Sequence, residues 1–275
     1  MEYKKLARTG IEIPEIGFGT WKFRGESTVI RRAVELGANL IDTAEIYGTE
    51  AAVGSAIQGI RDQCFIATKV SPGHFHYKDV LSAADGSLRR LGVDTIDLYQ
   101  LHWPNRSVPI EETMRAMDEL ITAGKVRFAG VSNFSVQEMK EADRALGEGR
   151  VVSNQIKYSL FDQGFGDEVI PYCEERGITV LAYSPLEQGS FEADARKRKE
   201  LGNALNRVSQ ETGKTAAQVL LNWTIRSPVV IAIPKTDRVP RVDENCAASG
   251  WRLTDEQYAA LTQAAGAVTG RRWWT

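Results

Sequence analysis

Ile41-Asp42-Thr43-Ala44-Glu45-Ile46-Tyr47-Gly48 follows the apolar lead-in Ala38-Asn39-Leu40, so a short buried strand ends on a carboxylate and a tyrosine follows five residues later beside a glycine. The same grammar returns twice. Cys64-Phe65-Ile66-Ala67-Thr68 runs into Lys69, and Asp97-Leu98-Tyr99-Gln100-Leu101 runs into His102. Asp42, Lys69 and His102 are separated by 27 and 33 residues, close to the roughly 30 residues of one strand-helix-strand unit. If the strands are parallel, their carboxyl ends share one face, and ionisable groups there stand where barrel and doubly wound folds build their sites.

Working outward, residues 3–13 alternate around Arg8-Thr9-Gly10 as a small hairpin, and Ile16-Gly17-Phe18-Gly19 is the first strand. Ser27 is placed to cap a helix bearing Val29, Ile30, Ala33 and Val34. Helices are predicted near 49–58, over 77–91 and from Pro109 to Gly124, then after a Ser135/Glu138 capping box, over 167–176, after Thr215/Gln218, from about Pro240, and after Thr254/Gln257. The apolar runs between them are 128–131, 151–153, 178–182 and 229–233, and the charged segment 195–200 reads as a solvated helix turn. Eight such runs separated by helices predict one (β/α)₈ TIM barrel domain over residues 1–275, with a short N-terminal β-hairpin and extra C-terminal helices. An open eight-stranded sheet would leave two edges to protect.

Composition sets the bounds. The 275 residues are 43% hydrophobic and 25% charged, with a net charge of −2, which gives no reason to expect nucleic acid or an acidic membrane as a partner. No apolar run nears the roughly 18 residues of a membrane span, and the N-terminus lacks a signal-peptide core, so a cytoplasmic protein is expected. Cys64, Cys173 and Cys246 are scattered without C-x-x-C, the pattern of reduced packing residues. His74-Phe75-His76 lies in a Pro-Gly loop without a third ligand, and no metal site is expected.

On a barrel, the strand ends place Asp42, Tyr47, Lys69, His102, Ser132, Asn133, Gln155, Tyr183, Ser184 and Lys235 on one rim. A phenol with an ordinary pKa near 10 needs help to act as an acid. A neighbouring ammonium lowers that value, a strand-end aspartate compensates the ammonium, and a neutral histidine orients a carbonyl. Taken singly, an aspartate here caps a helix, a lysine snorkels and a tyrosine packs; the four together on one rim point to hydride addition to an aldehyde or ketone.

The motifs Asp42-Thr43-Ala44-x-x-Tyr47-Gly48, Thr68-Lys69, Leu101-His102-Trp103-Pro104, Ser132-Asn133-Phe134, Asn154-Gln155, Ala182-Tyr183-Ser184-Pro185 and Ile233-Pro234-Lys235, in this order, resemble the aldo-keto reductases. The resemblance implies a monomeric barrel binding NADPH across its rim, consistent with the lack of G-x-G-x-x-G, and a small carbonyl compound as substrate. It makes Tyr47 the general acid, Lys69 and Asp42 its tuning pair, and His102 the group that orients the carbonyl. Gly19, Thr20 and Trp21 would border cofactor and substrate, with Trp103 a further pocket wall. Ser132, Asn133 and Gln155 would hold the nicotinamide carboxamide, and Tyr183 would stack on the ring. Ser184, Leu186 and Gln188 would line the pyrophosphate path, with Pro185, Ile233, Pro234 and Asp42 among the cofactor contacts. Lys235, Thr236 and Arg241 would hold the 2′-phosphate at a helix N-terminus, and Glu244 and Asn245 would face adenine. An alternative is a cofactor-sensing regulatory subunit, like the β subunits of channels. The segment after the seventh strand reads as short, implying an open site, and Trp273-Trp274 as either a flap over the rim or a contact for self-association.

Overall fold

A computed structural model describes residues 1–266; the Trp273-Trp274 expectation lies outside them. Two strands, β1 (Tyr3–Lys5) and β2 (Glu12–Pro14), pair antiparallel as the predicted hairpin. Eight parallel strands follow in chain order around one sheet: β3 (Phe18–Gly19), β4 (Leu40–Asp42), β5 (Phe65–Val70), β6 (Ile96–Leu101), β7 (Val126–Ser132), β8 (Val151–Lys157), β9 (Thr179–Tyr183) and β10 (Val230–Ala232). The ring closes between its first and last strands: Gly17 N–H donates to Ala232 O at 2.8 Å, Ala232 N–H to Glu15 O at 3.0 Å, and Gly19 N–H to Pro234 O at 3.0 Å. At this seam a Cβ on Gly19 would stand 2.8 Å from the Ile233 carbonyl oxygen, so only glycine lets the two backbones meet.

The helices α1 (Ser27–Glu35), α2 (Glu50–Ile57), α3 (Tyr77–Leu91), α4 (Ile110–Thr122), α5 (Val136–Leu146) and α6 (Gly166–Arg176) lie between successive strands from β3 to β9. Strand residues that face them, such as Ile41, Ile66, Tyr99 and Val180, share one buried cluster with Ile30, Val80, Met117 and Met139. Alternate strand residues point the other way. Leu40, Phe65, Leu98, Leu181 and Ile231 cluster with Leu6 and Ile13 of the hairpin. The hairpin therefore seals the N-terminal end of the ring, and the end where Asp42 terminates β4 stays open.

Ser135/Glu138, Thr215/Gln218 and Thr254/Gln257 all form reciprocal capping boxes, at the starts of α5, α9 (Ala216–Thr224) and α11 (Asp255–Ala265). Ser27 does not cap: Glu26 holds that position without a side-chain bond. The solvated helix turn expected over 195–200 is helical but belongs to two longer helices, α7 (Phe191–Lys197) and α8 (Lys199–Thr212), the second burying Leu201, Ala204, Leu205 and Val208 at helical spacing. The excursion after β9 is thus not short. Helix α10 (Val239–Cys246) starts one residue before Pro240. Among the described residues no helix is long and apolar enough to cross a membrane.

Candidate active site

Strand geometry delivers the central groups. Asp42 is the last residue of β4, Lys69 is the penultimate residue of β5, and His102 follows β6 directly. Asp42, Lys69 and His102 are buried. Tyr47 ends a 3₁₀ turn, Glu45–Tyr47, and Gly48 stops it in a left-handed conformation. The flanks of that turn are tied down. The Thr49 hydroxyl lies 2.9 Å from that of Thr43 and 3.1 Å from that of Thr20. Buried Glu50 accepts from Thr68 at 2.6 Å and from Arg90 at 2.7 Å.

The Lys69 ammonium donates to the two Asp42 carboxylate oxygens at 2.8 and 2.9 Å, to the Thr43 carbonyl at 2.8 Å, and to the Tyr47 phenol at 3.4 Å. His102 Nε2 lies 3.4 Å from the same phenol oxygen, and the ring stacks on Trp103 at 3.8 Å. Gln155 donates to Asp42 at 2.7 Å. Asn133 donates to the His102 carbonyl and accepts from the Tyr183 hydroxyl at 3.0 Å, so the two amides are fixed as part of the floor.

Electrostatics corrects one expectation. Burial, reinforced by the Asp42 charge, raises the Tyr47 pKa well above 10 rather than lowering it. Burial also lowers Lys69, against the pull of Asp42. His102 is driven to about 2 by burial and by Lys69, and its Nδ1 is buried without a partner. At neutral pH the site presents a neutral phenol and a neutral imidazole.

A cavity of about 850 Å³ opens above these groups. Every sequence-predicted site residue lines it except two: Lys69, which sits beneath the floor, and Glu244, which turns to Arg241 at 2.5 Å. Trp21, Trp103 and Ile46 wall the end near Tyr47, while Lys235, Thr236, Asp237, Arg238 and Arg241 line the other. Lys22, Ile46, Gly189, Phe191, Glu192, Ala217, Asp237 and Arg238 line it too and were not among the predicted residues. Asp237 and Arg238 had a signal, since they continue the Ile233-Pro234-Lys235 strand end, whereas Phe191 and Ala217 come from the helices α7 and α9, away from any strand end. Lys22, Asn133, Ser184 and Gln188 hold positive φ, strain of the kind that concentrates at functional sites.

Cys64, Cys173 and Cys246 are all free thiols. His74 and His76 turn to different carboxylates, Glu45 at 3.0 Å and Glu112 at 3.3 Å. Among the described residues no three potential metal ligands gather.

The model of the aldo/keto reductase family matches residues 15–265. A methylglyoxal reductase of Escherichia coli K12, YeaE, is 36% identical over 98% of this chain and 98% of its own. The structure of an aldo-keto reductase from Klebsiella pneumoniae in complex with NADPH superposes with a TM-score of 0.88, at 33% identity, covering 100% of this chain and 98% of that one. A thermostable aldo-keto reductase bound to the inhibitor epalrestat gives 0.89 at 35% identity, over 96% of this chain and all of the other.

Proposed function

Because this chain belongs to the aldo/keto reductase family, we propose that it is an NADPH-dependent oxidoreductase, one barrel domain over residues 1–275, that reduces aldehydes or ketones to alcohols with Tyr47 as proton donor. The observation that carries this reading is the convergence of Asp42, Lys69, Tyr47 and His102 within hydrogen-bonding reach on the floor of one cavity.

The cavity suits a nicotinamide dinucleotide by the chemistry of its walls. Hydroxyl and amide groups of Ser132, Asn133 and Gln155 and the ring of Tyr183 stand at one end, and three cations with Thr236 at the other. The start of α10 carries no side-chain cap, and the positive end of its dipole favours an anion there. When bound, the reduced nicotinamide supplies a hydride, two electrons and a proton's mass, to the carbonyl carbon. The chain's own residues handle the oxygen. Lys69 donates to the phenol oxygen of Tyr47 and His102 Nε2 lies 3.4 Å from it, and Tyr47 lines the cavity, where its O–H would meet the substrate oxygen. As the carbon accepts hydride, the carbonyl electron pair moves to that oxygen and the phenol proton follows it. The high pKa of Tyr47 keeps that proton in place until negative charge develops.

The methylglyoxal reductase relative and the walls of Trp21, Trp103 and Ile46 support a small 2-oxoaldehyde as substrate. The test is Tyr47→Phe. It should abolish aldehyde-dependent NADPH consumption, a loss of about 10² to 10⁴-fold, while NADPH binding stays nearly intact; full turnover in that variant rules the mechanism out. Tight NADPH binding without turnover of any aldehyde, sugar or quinone by the wild-type protein would instead favour a regulatory subunit.

A further inference from the structure

Asp237 stands among the cations of the cavity's far end and was not anticipated there. Its Oδ2 accepts from the Lys235 ammonium at 2.5 Å, and its Oδ1 accepts from the Arg24 backbone N–H at 2.9 Å. This carboxylate is exposed yet bonded on both oxygens. It joins the loop after β10 to the loop after β3, and the approach is so close that a Cβ on Gly25 would lie 3.2 Å from the Asp237 Cα and 2.8 Å from the Phe23 ring. Burial opposes its ionisation, but the Arg24 and Gly25 N–H groups and Lys235 outweigh burial and hold the carboxyl below its ordinary range.

The second cation, Arg241, is paired with Glu244 at 2.5 Å. Arg238 is exposed and has no carboxylate partner among the described residues. Three cations therefore face two carboxylates where a phosphate is to be bound. A phosphate needs cations free to turn toward it, whereas a ribose 2′-hydroxyl is recognised by a carboxylate that accepts its hydrogen bond, as in NAD sites of other folds.

We propose that Asp237 sets the cofactor discrimination of this site. Its carboxylate, bonded to Lys235 and to the Arg24 N–H, draws the Lys235 charge away from a 2′-phosphate and offers an acceptor to a free 2′-hydroxyl, so NADH is admitted alongside NADPH. This rests on the cofactor reading above and concerns the adenosine end alone.

The experiment is calorimetric binding of adenosine 2′,5′-bisphosphate and of 5′-AMP to the wild-type protein and to Asp237→Asn, which keeps an acceptor for Arg24 while removing the charge. The preference for the bisphosphate should rise about tenfold in the variant, the size of one charge-assisted hydrogen bond, with 5′-AMP binding weakened. Asp237→Ser should move the ratio the same way and guards against misfolding of the first variant. A ratio unchanged within about twofold in both overturns the role of Asp237 while leaving the cofactor reading intact. A wild-type protein that binds neither nucleotide overturns the cofactor reading and this inference with it.

Discussion

The Lys69 ammonium reaches both carboxylate oxygens of Asp42, at 2.8 and 2.9 Å, with both side chains buried. A buried ion pair is held by its geometry: each partner is costly to leave alone. Asp42→Ala is therefore expected to destabilise the fold by about 3–5 kcal/mol, since it strands an ammonium that also loses the network through Gln155. Lys69→Met with Asp42→Asn, replacing both charges, should recover much of that loss in urea denaturation while leaving carbonyl reduction impaired.

Reaction rates should vary little with pH. His102 is neutral above about 2 and the Tyr47 phenol stays protonated past 10, so neither changes state across the ordinary working range. The kcat/KM for aldehyde reduction should be flat from about pH 5 to 9, and alcohol oxidation, which needs the phenolate, should climb as pH rises. A reduction profile with a limb near pH 7 would contradict the geometry.

Stability, unlike rate, should be sensitive to acid. His102 falls from an ordinary 6.5 to about 2 in the folded chain, so between those values the unfolded state binds the extra proton. Its contribution is complete above about pH 6.5 and is lost as pH falls, by at most about 1.4 kcal/mol per unit. His102→Gln should flatten this part of the acid limb, read as the urea midpoint at pH 6.5 and 4.5; equal slopes in the two proteins would argue against it.

The capping boxes give a local test on residues that do not line the cavity. Ser135 accepts from the Glu138 N–H and Glu138 accepts from the Ser135 N–H. Ser135→Ala should lower stability by about 1 kcal/mol, measured by thermal denaturation, with the kcat for aldehyde reduction unchanged.

Much of this molecule is written locally. Alternating apolar runs and helical stripes, closed by Gly92 and Gly177 at helix ends, specify eight strand-helix units. Side-chain period and cap chemistry are short-range properties that neighbouring residues satisfy among themselves. The same logic puts Asp42, Lys69 and His102 at one height, because parallel strands share a direction. Helix α8 shows the limit of a local reading: its stripe of Leu201, Ala204, Leu205 and Val208 lay behind a run of charges that reads as a single solvated helix turn.

The chain order of Asp42, Tyr47, Lys69 and His102 determines that these four ionisable side chains meet at one end of the ring. Only the closed ring decides their electrostatics. Burial and a carboxylate, brought together by strands far apart in sequence, raise Tyr47 where an adjacent ammonium alone would lower it. Likewise the motif Lys235-Thr236 names a cationic site, but the seam between β3 and β10 brings Arg24 and Gly25 against Asp237 and fixes a carboxylate within it. Charges act through space and through the dielectric that surrounds them, and neither distance nor burial exists until the chain has closed on itself.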